Sequence, residues 1–205
     1  MANGRPTLVF VFPDQFRQQS LGCMSQDPVV TPNFDRFAAR SRVLTHAVSN
    51  RPVCSPYRAM LFTGKYPHAN GVLTNCNSDT VQYDCYLRDT DRCLTDILHD
   101  ADYSQGYIGK FHLDPPTDAH SEYTEGPRGD GKIWDTYTAP GPRRHGIDFW
   151  HSYGCCDNHL HPHYWEGDAR LEERIDVDDW SVRHETDVAV DFIRNRDGRH
   201  RDADK

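Results

Sequence analysis

The residues most able to do chemistry lie in a few short stretches. Cys54-Ser55-Pro56-Tyr57-Arg58 opens an apolar run closed by Thr63-Gly64, which places Cys54 just before a helix N-terminus. Backbone N–H groups there favour a developing anion. Arg58, one turn on, can hold such an anion by a charge-assisted hydrogen bond. Asp14-Gln15 follows an apolar run directly, and its carboxylate and amide oxygens suit a hard cation such as Ca²⁺, Mg²⁺ or Mn²⁺. Lys110 and His112 share a second strand-end loop, where His112 has the side chain best poised to move a proton near neutral pH. Each has a plainer reading when isolated: a buried thiol for Cys54, a strand-end cap for Asp14-Gln15, surface residues for Lys110 and His112. Residues 155–164, Cys-Cys-Asp-Asn-His-Leu-His-Pro-His-Tyr, carry enough ligands for a zinc site, but the spacing is not that of a finger.

The elements that must position these groups follow from periodicity. Thr7 to Phe12 is a continuous apolar, β-branched and aromatic run, expected as a strand buried on both faces of a parallel sheet. Asp14-Gln15 then falls at its carboxyl end, where open α/β sheets place ligands. Thr31-Pro32-Asn33 predicts a helix start, with Phe34, Phe37 and Ala38 at helical spacing, and Arg42 to Val48 is expected as a returning strand. A helix should run from Tyr57 to Phe62, ending at Gly64. Residues 92–100 read as a helix, Tyr103 to Gly109 as a strand and Trp180 to Arg196 as an amphipathic helix. The Pro-, Gly-, Asp- and Thr-rich stretch 114–145 is expected as a long surface insertion. There is no internal repeat.

With 23 Lys and Arg against 31 Asp and Glu, the formal charge is -8, which argues against a broad nucleic-acid surface. An anionic substrate must therefore be held locally, by a metal ion or a few placed cations. The seven cysteines are scattered and odd in number, which favours a reducing compartment. The N-terminal apolar run is too short for a signal peptide or a membrane span, so a cytoplasmic location without membrane contact is expected.

The Cys54–Gly64 stretch matches C-x-P-x-R followed by T-G and so resembles the signature of the formylglycine-dependent sulfatases, within the alkaline-phosphatase superfamily. Tyr107-Ile108-Gly109-Lys110-Phe111-His112-Leu113 resembles the same family's G-K-x-H-L segment. Thr31-Pro32-Asn33-Phe34-Asp35 and Gly146-Ile147-Asp148-Phe149-Trp150 resemble structural segments in the same order. Matches in that order, from about Thr7 to Ile193, are more specific than any one alone. The resemblance implies an α/β fold with a mostly parallel central sheet flanked by helices. It also implies that a formylglycine-generating enzyme converts Cys54 to formylglycine, whose hydrate attacks sulfur with one hydroxyl and expels sulfate with the other. Arg58, Lys110 and His112 would complete the catalytic set. Asp14, Gln15 and residue 54 would bind one divalent metal, Ca²⁺ first, with Mg²⁺ or Mn²⁺ as alternatives. Asp-Gln stands where Asp-Asp is commoner, which removes one charge from the metal site. The substrate would be a small anionic ester or a sulfated carbohydrate, approached by Asn158, His159, His161 and His163.

Sulfatases also carry a later metal-ligand pair and further substrate-binding His and Lys, and nothing after Ile193 matches these. The chain is therefore expected to be the N-terminal part, 1–205, of a single catalytic domain truncated at its C-terminus, with the missing C-terminal half as a partner. Two other readings stand beside sulfate ester hydrolysis: a phosphonate or phosphate ester hydrolase of the same superfamily, and a non-catalytic metal- or ligand-binding fragment.

Overall fold

The computed structural model describes residues 6–117, 131–155 and 158–198. Its contacts divide the chain into two units, Met1–Asn50 and Arg51–Lys205.

In the first unit the helix expected after Thr31 forms as α1 (Pro32–Ala38), with proline in its first turn. The Thr31 hydroxyl accepts from Gly22 N at 2.7 Å and donates to Asp35 at 2.9 Å, while Asp35 also accepts from Cys23 N at 2.9 Å. These bonds tie the 22–24 turn to the start of α1 in place of an N-cap bond. The strands expected at Thr7–Phe12 and Arg42–Val48 are not formed, and Val11 is 85% exposed. A continuous apolar run signals burial on both faces, but a strand also needs neighbours to pair its N–H and C=O groups. The described part of this unit contains no strand that could serve.

The second unit holds α2 (Cys54–Thr63), α3 (Pro67–Asn70), α4 (Leu94–Asp100), β1 (Gly106–Lys110), β2 (Phe149–Tyr153), β3 (His163–Glu166), β4 (Ile175–Asp176) and α5 (Ser181–Ile193). The sheet runs β1-β2-β3-β4. It is mixed: β1 and β2 pair in parallel, Lys110 opposite Tyr153, while β2–β3 and β3–β4 are antiparallel. The α2 helix begins at Cys54 itself, three positions earlier than the expected start at Tyr57, and stops where Gly64 adopts φ 66. At the start of α4 the Cys93 side chain and Asp96 form a reciprocal capping box.

The core lies between α2 and the front of the sheet. Phe62, Tyr107, Phe111 and Trp150 form a ring cluster with centroids 5.1–5.8 Å apart. Ala59, Val72, Leu87 and Leu113 fill the space around it. On the other side α5 lies close against β1. A Cβ at Gly106 would come within 2.9 Å of the Phe192 ring, and one at Gly109, where φ is 92, within 3.0 Å of Glu185. Glycine is what allows helix and strand to approach this closely.

The described part of the 114–145 stretch turns inward instead of running over the surface. Trp134, Asp135, Thr136 and Thr138 are buried, as are Asp114 and Arg144. Part of this polar surface is satisfied from within: Arg144 donates to Thr138 O at 2.9 Å and Arg143 pairs with Asp114 at 3.0 Å, while Asp114 Oδ2 and Thr136 Oγ1 have no hydrogen-bond partner among the described residues. A composition that reads as loop here becomes hydrogen-bonded interior. Residues 118–130 of that stretch lie outside the described residues.

Candidate active site

The carboxyl end of β1 and the N-terminus of α2 bring Cys54, Arg58, Lys110 and His112 together. Arg58, one turn into α2, is only 4% exposed. It donates to Tyr107 Oη at 3.1 Å and also to the Lys110 carbonyl. Tyr107 Oη in turn donates to the same carbonyl at 2.5 Å. Burial pushes the Tyr107 hydroxyl above its ordinary pKa, against the opposing effect of Arg58, so it stays a neutral donor. The bend after β1 is thereby clamped. With its backbone held, Lys110 directs Nζ to 3.7 Å from Cys54 Sγ.

His112 is 1% exposed and has φ 52, a left-handed conformation that turns its ring back under α2. Nε2 lies 2.9 Å from the Cys76 carbonyl. A carbonyl only accepts, so Nε2 carries the proton and Nδ1 is the basic nitrogen. Nδ1 has no oxygen or nitrogen partner among the described residues. Burial alone presses His112 towards its neutral form, but hydrogen bonding to the Cys155 and Cys54 thiols outweighs it and holds the pKa above the usual value. The segment carrying Cys76 is itself tied to α2, because Asn75 accepts from Ser55 N at 3.0 Å and Ser55 Oγ accepts from Cys76 N at 3.0 Å. Helix, loop and strand end form one hydrogen-bonded frame around residue 54.

Beside residue 54 stand the ammonium of Lys110 and the basic face of His112, with the Arg58 guanidinium bonded to the Lys110 carbonyl one turn into the helix. This arrangement gathers positive charge around an anionic tetrahedral group and sets a proton acceptor beside it.

Other expected site residues fare differently. Asp14 and Gln15 belong to the first unit, with Gln15 in the left-handed region at φ 50. In kind their oxygens fit a hard cation. In number they supply two of the six or so ligands that Ca²⁺ takes. Asn158, His159 and His161 are exposed, and the two histidines lie by the start of α5: His159 is 3.3 Å from Ser181 Oγ and His161 2.9 Å from Asp178. His163 instead points at the buried Asp135, with Nε2 2.6 Å from Oδ2. Cys156 and Asp157 lie outside the described residues. Among the described residues the metal-ligating side chains that cluster in threes are Cys93, Asp96 and His145. Asp96 there already accepts from Cys93 N at 2.8 Å and sits 3.2 Å from His145 Nδ1, so the group is explained as a helix cap. The 155–164 stretch contributes nothing to it. No helix among the described residues is long and apolar enough to cross a membrane.

Tyr107, Cys76, Trp134 and Asp135 lie around the site but do not stand out in the sequence. Tyr107 reads as one more apolar strand residue, Cys76 acts through its backbone, and Trp134 and Asp135 sit in a stretch whose composition suggests loop.

Comparison with known proteins identifies the family. The sulfatase family model matches residues 6–161. The endo-4-O-sulfatase of Bacteroides thetaiotaomicron is 42% identical over 215 aligned residues, covering 98% of this chain and 40% of that protein. The crystal structure of yidJ from Bacteroides fragilis superposes with a TM-score of 0.83 at 38% identity, over 89% of this chain and 39% of the other. A Bacteroides thetaiotaomicron structure titled for the metabolism of multiple glycosaminoglycans gives 0.80 at 40% identity, over 92% and 40%. The chain thus spans about two-fifths of the length of these relatives, and its α/β architecture is theirs.

Proposed function

We propose, from the premise that this chain belongs to the sulfatase family, that it supplies the nucleophile half of a site hydrolysing sulfate esters, with residue 54 converted to formylglycine. The observation that carries this reading is the approach of Lys110 and His112 to Cys54, the first residue of α2, with Arg58 one turn on bonded to the Lys110 carbonyl. A formylglycine hydrate supplies a nucleophilic hydroxyl and a second hydroxyl through which sulfate can be released. Lys110 neutralises charge on the sulfuryl oxygens. Arg58 holds the nucleophilic oxygen in place, and its own position is fixed by the Tyr107 hydroxyl and the Lys110 carbonyl. His112 takes up a proton on Nδ1, since Nε2 is committed to the Cys76 carbonyl. A divalent cation, with Ca²⁺ preferred, supplies Lewis-acid polarisation when bound, and Asp14 and Gln15 are the residues of this chain suited to hold it. The substrate class is a sulfated carbohydrate, supported by the 4-O-sulfatase and glycosaminoglycan associations of the matched relatives. A formylglycine-generating enzyme is the required partner.

Peptide mass spectrometry across Cys54, on protein made beside a formylglycine-generating enzyme, tests the reading. Conversion followed by turnover of an aryl sulfate, and not of the matching phosphonate ester, is the expected result. Retention of cysteine while a control substrate is converted in the same cells would overturn it.

A further inference from the structure

Away from residue 54, the seam between α5 and the sheet holds a second group of titratable side chains. His151 sits in the middle of β2 and Glu166 at the end of β3, and the antiparallel register places them opposite one another. Glu166 Oε2 lies 2.6 Å from His151 Nδ1. An ionised carboxylate only accepts, so Nδ1 carries the proton and Nε2 presents a lone pair. That lone pair faces α5, where His184 Nε2 lies 3.0 Å away.

Both rings are held in place by their surroundings. The Tyr164 ring stacks on His151 with centroids 4.3 Å apart and lies 5.1 Å from that of His184. Tyr164 is itself fully buried, and its hydroxyl donates to Glu185 Oε1 of α5 at 2.9 Å. His151 is buried, while His184 lies nearer the surface, where an ion can reach it. Burial, followed by the neighbouring His151, keeps His184 below its ordinary pKa and so neutral at pH 7.

Neutral imidazoles that converge in this way are suited to a borderline divalent cation. A histidine that binds a metal through one ring nitrogen commonly gives its other N–H to a carboxylate, which fixes the tautomer and raises the basicity of the ligating nitrogen. Two nitrogens bound tetrahedrally at about 2.0–2.1 Å from zinc lie about 3.3 Å apart, so the rings need part by only a few tenths of an ångström. Imidazole donors suit Zn²⁺, Ni²⁺ or Cu²⁺, in contrast to the hard cations that fit Asp14 and Gln15.

We propose that His151 and His184 form a binding site for a transition-metal dication, Zn²⁺ in the first place, with Glu166 as the positioning residue of His151 and solvent filling the remaining coordination positions. Without an ion, one proton lies between the rings, donated by His184 Nε2 to the lone pair of His151. When the ion enters, that proton moves through solvent to Nδ1 of His184, both Nε2 atoms bind the cation, and no net proton is released. The bound ion joins α5 to β2, the strand that pairs with β1 and Lys110. The proposal is independent of the sulfate-ester reading, since none of its residues belongs to the set around residue 54.

Long-range ¹H–¹⁵N correlation spectra of the whole chain, recorded with and without Zn²⁺, test it. His184 should change from its Nε2–H to its Nδ1–H form as Zn²⁺ is added, while His151 stays Nδ1–H throughout. Thiols elsewhere also take Zn²⁺, so the affinity is read from the titration of these two rings. Glu166→Gln should weaken it about 10- to 100-fold, the usual cost of losing a carboxylate behind a metal-bound histidine. His184→Gln should abolish the response of His151. The wild-type tautomer change decides the matter even where a variant fails to fold. A His184 that keeps its Nε2–H in excess Zn²⁺, or an affinity indifferent to Glu166→Gln, would overturn the proposal and leave the pair as a hydrogen bond between helix and sheet.

Discussion

Residues 7–12 and 106–110 are two of the most sheet-like segments of the chain, and they end in opposite states. Gly106–Lys110 pairs along its whole length with β2, packs Tyr107 into the aromatic cluster and ends in the clamp that aims Lys110. Thr7–Phe12, the more apolar of the two, forms no strand, and Val9, Phe10 and Val11 are 59%, 61% and 85% exposed. The difference teaches that apolar character supplies a driving force, while a strand exists only where a neighbour completes its hydrogen bonds. Gly106–Lys110 has both, and two glycines in it admit α5 on the other face.

That contrast can be broken or sharpened by substitution. Trp150→Ala removes the ring that stacks on Tyr107 at 5.4 Å and meets Phe111 at 5.1 Å. A loss of about 3–5 kcal/mol is expected in urea unfolding, as for other buried Trp or Phe truncations. Gly109→Ala should be next, at roughly 1–3 kcal/mol, because alanine is strained at positive φ and its methyl group meets Glu185. An unchanged unfolding midpoint for Gly109→Ala would show that β1 and α5 do not approach as closely as described.

A smaller effect is expected where α5 meets β2. His151 Nε2 and His184 Nε2 lie 3.0 Å apart, and Glu166 sits 2.6 Å from His151 Nδ1. Burial, then the neighbouring His151, hold His184 below its usual pKa, with Asp179, Glu166 and Asp187 opposing. The sign follows from linkage. A histidine depressed in the folded state binds fewer protons than in the unfolded chain as pH falls through about 6.5, so folding weakens on the acid side. The urea midpoint should fall between pH 7.5 and 5.5, and fall less in His184→Gln. Equal slopes for both proteins would remove His184 from the acid response.

The smallest effect belongs to the exposed segment. Val11→Ala should change stability by no more than about 0.5 kcal/mol. Amide exchange at 7–12 should run near the rate of an unstructured peptide while Tyr107 to Lys110 are protected. Protection across 7–12 would mean that this segment finds a strand partner in solution.

Much of the site was legible in the sequence because its chemistry lies within short spacings. Cys54 and Arg58 are one helical turn apart, and Lys110 and His112 flank one residue after a strand, so local geometry alone brings each pair together. The helix after Thr31, the stop at Gly64 and the amphipathic helix ending near Ile193 were legible for the same reason: capping and 3.6-residue periodicity are local. The 134–138 segment was not, since Asp and Thr look alike in a solvated loop and in a hydrogen-bonded interior. His159 and His161 show the converse, two chemically able residues beside His163 that turn towards the start of α5 instead.

The order of motifs along the chain determined by itself that this is a sulfatase-family α/β protein and which residues, around position 54, are its candidates for chemistry. Tertiary structure alone decided which neighbours support that chemistry: the Cys76 carbonyl that sets the His112 tautomer, the Tyr107 hydroxyl that pins Arg58, and the buried Asp135 that reaches His163. Tautomers, clamps and buried ion pairs depend on atoms distant in sequence meeting at hydrogen-bond distance. Only the packing of α2, the 75–77 loop and the strand ends against one another brings that about.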